Sequence, residues 1–158
     1  MSCNLVFAAS LLISAPSAPP NAGDSVAVAA APLSDEAALK AVMDEAGRLK
    51  SIVQGWVDGS AIADAHFAHG TAFGDFKLQA IALSKANMDA HLDLKARGTD
   101  GDLTCILRGI SEDIPKKLAL VEEADAGAER RQAFEDLIYL LNDNVEVILA
   151  PPHTANAD

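Results

Sequence analysis

The chain has 158 residues, with 23 acidic against 12 basic side chains and a formal net charge of −11; half of it is apolar, yet only 4% is aromatic. The surplus of carboxylates argues against a nucleic-acid binder, because neutralising phosphates requires clustered cations. The only basic clusters are Lys116–Lys117 and Arg130–Arg131, which read as solvated helix faces.

The first 33 residues contain no lysine or arginine and one acid, Asp24; the first basic residue is Lys40. Within them Leu5–Ala15 (LVFAASLLISA) is an apolar run of signal-peptide length, shorter than the roughly 20 residues that a membrane-spanning helix needs. Pro16, Pro19 and Pro20 follow, and then Ser25–Ala31 (SVAVAAA), where small residues offer a cleavage site between Ala27 and Ala31. Residues 1–33 therefore read as a signal peptide, and the protein as periplasmic or secreted. The competing reading is a cytoplasmic helical regulator with an Ala/Pro-rich disordered tail. Cys3, with only Met1 and Ser2 before it here, does not read as a lipoprotein cysteine.

The body, residues 34–150, is long enough for one domain with its own core. Its only cysteine is Cys105, so its fold has to rest on packing rather than on an internal disulfide. Helical periodicity dominates. Ser34 is placed as an N-cap, with Asp35 and Glu36 suited to the first turn. Leu39, Val42, Met43, Ala46, Leu49, Val53 and Trp56 then recur at spacings of three and four, and Asp58–Gly59 signals a turn.

The second region is less regular. Ser60 can cap a short helix through His69, with Gly70–Thr71 ending it and starting another; alternatively Gly70 and Gly74 lie inside one long kinked helix. Its stripe is Phe73, Phe76, Ala80, Leu83, Asn87, Ala90 and Leu94, widened by Leu78, Ile81, Met88 and Leu92, and Gly98 marks its end.

In the third region Leu103, Leu107, Ile110, Ile114, Leu118 and Val121 form the stripe, interrupted by Pro115. An interior proline costs about 3 kcal/mol. A break near Gly109 with a new N-cap at Ser111 relieves this. The fourth stripe is Phe134, Leu137, Ile138, Leu141, Val145 and Ile148, stopped by Pro151–Pro152; residues 151–158 read as a loose tail. Four amphipathic helices on short connections imply an all-α antiparallel four-helix bundle with its second or third helix kinked or broken. The same stripes serve a closed monomer or a homodimer of hairpins.

The segment Leu118–Leu137 (LALVEEADAGAERRQAFEDL) resembles the inter-helix turn of the cytochrome b562 and cytochrome c′ group of periplasmic four-helix bundles. Met43 lies early in the first helix, where the b562 type places a methionine haem ligand. The resemblance implies a fold and a compartment. The haem does not carry over: the chain lacks the Cys-x-x-Cys-His of the c type, and Ala128–Leu149 lacks the histidine of the b562 type.

His66 and His69 are one helical turn apart, and Asp89-x-His91-x-Asp93 could bring a third imidazole past them on a neighbouring helix. Imidazole and carboxylate suit a transition metal. These histidines, with Met43 for haem, are the candidate ligands of a cofactor-binding alternative; as ordinary residues the histidines are boundary or surface groups and Met43 fills core. No cofactor is otherwise expected. Gly-x-Ser-x-Gly, phosphate loops and His-Glu-x-x-His are all missing from the sequence. The expectation is a small exported, acidic, non-enzymatic bundle that binds a protein partner or small ligand, with no membrane span in the mature chain.

Overall fold

The computed structural model describes residues 32–99 and 101–151. The leader up to Ala31, with its cleavage site, lies outside the described residues, as does the tail beyond Pro151. Among the described residues the regular elements are all helical: α1 (Ala37–Asp58), α2 (Thr71–Arg97), α3 (Gly101–Glu123) and α4 (Ala128–Leu149), with 3-10 turns at Leu33–Asp35, Ala61–Ala63 and Phe67–His69. They form an antiparallel four-helix bundle. Each helix packs on its two neighbours in the ring α1–α2–α3–α4, most extensively in α2–α3 and α1–α4 and most sparsely in α1–α2.

The stripes form the core. Leu39, Val42, Ala46, Leu49 and Val53 of α1 are buried, and Val57 takes the last slot while Trp56 sits half-buried beside it. On α2 the expected stripe is buried in full, joined by His91; on α3 Leu103, Leu107, Ile110, Ile114, Leu118 and Val121 are buried. On α4 Phe134, Leu137, Leu141 and Ile148 are buried, whereas Ile138 and Val145 are half-buried. One end of the core is aromatic. Trp56 packs edge-on against Phe67 and Phe76, with ring centroids 5.0 and 5.1 Å away, and against Phe134 at 5.9 Å.

Three local expectations need correction. Ser34 is not an N-cap: it lies in the first 3-10 turn, which carries Leu33 against the core, and α1 begins after Glu36. The Glu36 carboxylate makes no cap either, since it accepts from both Nη atoms of Arg97 at the end of α2, at 3.1 and 2.8 Å. In the second region the interruption is complete at Gly70, where two 3-10 turns give way to α2, so there is no long kinked helix. In the third there is no break. Helix α3 runs straight through Pro115, with Gly109 and Ser111 inside it. Pro115 offers no N–H to the carbonyl of Ser111, but the Ser84 hydroxyl on α2 donates to that oxygen at 2.7 Å. A neighbouring helix satisfies the acceptor that proline orphans.

Helix α2 ends as its sequence suggests. Gly98 has φ +66°, the left-handed value natural to glycine, and the N–H groups of Gly98 and Thr99 close on the carbonyls of Lys95 and Leu94 in a Schellman motif. Gly127, φ +105°, sets the turn into α4.

Across the bundle, Asn87 of α2 and Asn144 of α4 are fully buried and exchange amide hydrogen bonds, each Nδ2 donating to the other's Oδ1 at 2.8 Å. Asn87 also donates to the Leu83 carbonyl at 3.1 Å.

Two outcomes are expected in denaturant melts followed by Trp56 fluorescence. Ser84→Ala strands a buried carbonyl and costs about 1–2 kcal/mol, a loss that shrinks in a Pro115→Ala background where an N–H returns to Ser111. Asn144→Ala costs about 2–3 kcal/mol by orphaning Asn87, and joint replacement of both asparagines by leucine costs less than that single change.

Candidate functional site

The residues expected to bind metal or haem do not converge. His66 and His69 are exposed in the α1–α2 connection, where the backbone N–H of His66 donates to Asp64 Oδ1 at 2.9 Å. His91 lies twenty residues beyond the start of α2, about 30 Å along the helix at 1.5 Å per residue, so α2 does not bring it past the pair. It is buried, and its Nδ1–H donates to the Thr104 carbonyl at 2.7 Å, tying α2 to the first turn of α3. Met43 is half-buried and packs against the core. Among the described residues no three His, Cys, Asp or Glu side chains gather as a metal site.

The basic pairs are also divided by the fold. Lys116 and Arg131 are exposed, but Lys117 is half-buried and bonds Asp136 of α4 at 2.9 Å. Arg130 is buried at 4% exposure. Its guanidinium donates to two backbone carbonyls, Asp64 at 2.7 Å and Ala124 at 3.1 Å, which binds the 3-10 connection to the end of α3. Sequence reading missed this role, although Arg130 continues the α4 stripe one turn ahead of Phe134.

The feature with room for a partner lies elsewhere. Between α1 and α2 runs an apolar groove of about 510 Å³, lined by Ala38, Ala41 and Val42 on one bank and Ala82, Leu83, Ala86 and Ala90 on the other. Its cause is the sequence of the two facing banks. Alanines leave space where larger side chains would fill it, and α1 and α2 are each held by a more extensive contact, with α4 and α3 respectively. Polar clasps lie on either side of it along the helices: Arg48 bonds Gln79, and Arg97 holds Glu36.

Only two lining side chains are charged, and both are carboxylates. Glu45 accepts from Arg48 at 2.9 and 2.5 Å, and Asp89 from Lys85 at 2.6 Å, each from a cation one turn away on its own helix. Such surface pairs within one helix contribute about 0.3–0.5 kcal/mol each. Hydrogen bonding to Glu45 raises the pKa of Arg48 further, so that cation stays charged.

Beside the groove, α2 shows a second apolar face. Leu78, Ile81 and Leu92, expected to widen the core stripe, are instead 72%, 41% and 54% exposed. The exposed alanines 82 and 96 lie on the same side of the helix.

The α3–α4 side carries two smaller depressions, about 240 and 360 Å³, with acidic linings. There burial, reinforced by Glu146, pushes the Asp143 carboxyl above the usual range, while hydrogen bonds from Lys117 and Gln132 hold Asp136 below it. Both depressions are more polar than the α1–α2 groove.

Comparison with protein-family models, with curated proteins and with solved structures finds no match to this chain. No helix among the described residues is long and apolar enough to cross a membrane.

Proposed function

We propose that this chain is an exported, non-enzymatic interaction module that works through the face formed by α1 and α2. The observation that carries the reading is an apolar, alanine-rich groove next to a helix whose outward side bears Leu78, Ile81 and Leu92; the other exposed large apolar side chains among the described residues, Leu120, Tyr139 and Leu149, are divided between α3 and α4. Scattered exposed leucines need no explanation, but large apolar side chains on one side of a helix, beside an apolar groove, suit a contact surface. The depressions on the α3–α4 side have acidic, more polar linings. The export half of the proposal rests on the apolar leader, which has no lysine or arginine.

Each half has its own measurement. Intact mass of the protein from its native source is expected to show an N-terminus between Ala27 and Ala31; an uncleaved chain would support the cytoplasmic reading. For the surface, a photo-reactive phenylalanine analogue replaces Ala82 or, as control, Glu135 on the exposed side of α4. Irradiation in the native host is expected to give a discrete adduct from position 82 and none from 135. Equal labelling at both, or none at 82, would remove the α1–α2 face as the working surface. A Soret band or stoichiometric metal in the purified protein would move the function to a cofactor instead.

A further inference from the structure

We infer that the occupant of this face is a second copy of the same chain, with the two α2 helices lying antiparallel about a twofold axis next to Asn87. The inference rests on the α1–α2 face being the working surface and names its partner.

Helix α2 carries two stripes. Phe73, Ala80, Asn87 and Leu94 point into the bundle. On the opposite side Leu78, Ala82, Lys85, Asp89, Leu92 and Ala96 recur at spacings of four and three, and all six are exposed. That spacing is the one found along the seam of a two-stranded coiled coil, here with apolar residues at the four outer positions and the charged Lys85 and Asp89 at the two central ones. The seam spans about 27 Å at 1.5 Å per residue.

The order of residues selects the partner. Read backwards about position 87, the seam pairs Leu78 with Ala96, Ala82 with Leu92 and Lys85 with Asp89. Each large side chain therefore meets a small one, and each cation meets an anion. An antiparallel pair places the two alternating seam positions opposite each other, which is the match required. A parallel pair in register sets Lys85 against Lys85 and Asp89 against Asp89, which repel. The Lys85–Asp89 bond of 2.6 Å within one helix becomes half of a ring of four alternating charges across the axis. A polar layer of this kind fixes register in coiled coils.

A helix on this seam also lies at the mouth of the groove, because Ala82 and Asp89 belong to both. The net charge of −11 on each chain opposes association, so the complementary Lys–Asp layer has to offset a general repulsion. A single short seam fits a weak, reversible dimer.

Sedimentation of the purified chain at physiological salt tests this with charge exchange. Lys85 and Asp89 side chains are 75% and 61% exposed, so substitutions there leave the fold intact, as circular dichroism will verify. Wild type is expected to dimerise reversibly. Lys85→Asp and Asp89→Lys each place like charges around the axis and weaken association at least about tenfold. Mixing those two variants restores a heterodimer, and the double exchange K85D/D89K restores the homodimer. A wild type that stays monomeric, a dimer indifferent to K85D, or failure of both rescues would overturn the inference. If the wild type is monomeric while position 82 cross-links to a different protein, the face stands and the second copy falls. If neither forms, both readings fall.

Discussion

The reciprocal amide pair between Asn87 and Asn144 is the constraint on which the rest of the arrangement depends. Apolar stripes are non-directional: a helix can slide by a turn along its neighbours and still bury leucine against leucine. Two fully buried asparagines cannot slide, because each loses its partner and leaves a polar group in an apolar interior. They join the diagonal helices α2 and α4, and so set the axial position of the two tight pairs, α2–α3 and α1–α4, against each other.

Other departures from a plain leucine core follow the same logic. Ser84 serves the carbonyl that Pro115 cannot, and this works only when α2 and α3 are in the right register. His91 reaches the Thr104 carbonyl under the same condition. Arg130 spends its guanidinium on the backbone of Asp64 and Ala124, holding the connection that carries Phe67 onto the aromatic cluster. Lys77 with Glu122 and Lys117 with Asp136 add half-buried ion pairs between helices. In each case a residue that could pass for a ligand, a solvated charge or a helix breaker is a fastening between elements.

The sparsest contact of the ring, α1–α2, also carries the largest and least polar of the depressions described. The α1–α2 banks are alanines, and α2 is apolar on its outward side as well. A helix with one apolar stripe is satisfied by its own bundle; one with two is left with surface to cover. The functional reading and its extension to a second copy both start from this surplus.

The stripes of α1 to α4 were legible residue by residue, because helical period and side-chain hydrophobicity are local properties, and they sufficed for an all-α bundle with stops at Gly98 and before Pro151. Asn87 was legible as a stripe member, but its partner was not, since nothing local links position 87 to position 144. Ser34 misled because the helix start depends on Leu33 finding the core and Glu36 finding Arg97. The break expected at Gly109 failed because the cost of Pro115 is relieved from another helix. The histidines suggested a metal by spacing alone, and the length of α2 keeps them apart. Sequence by itself determined the central inward stripe of each helix, since that needs only the 3.6-residue period, but not its edges, where Leu78, Ile81 and Leu92 face solvent and His91 and Arg130 are buried. Which neighbour each helix meets, where the groove opens and which face of α2 stays bare were decided by tertiary packing, because those depend on contacts between residues far apart in the chain.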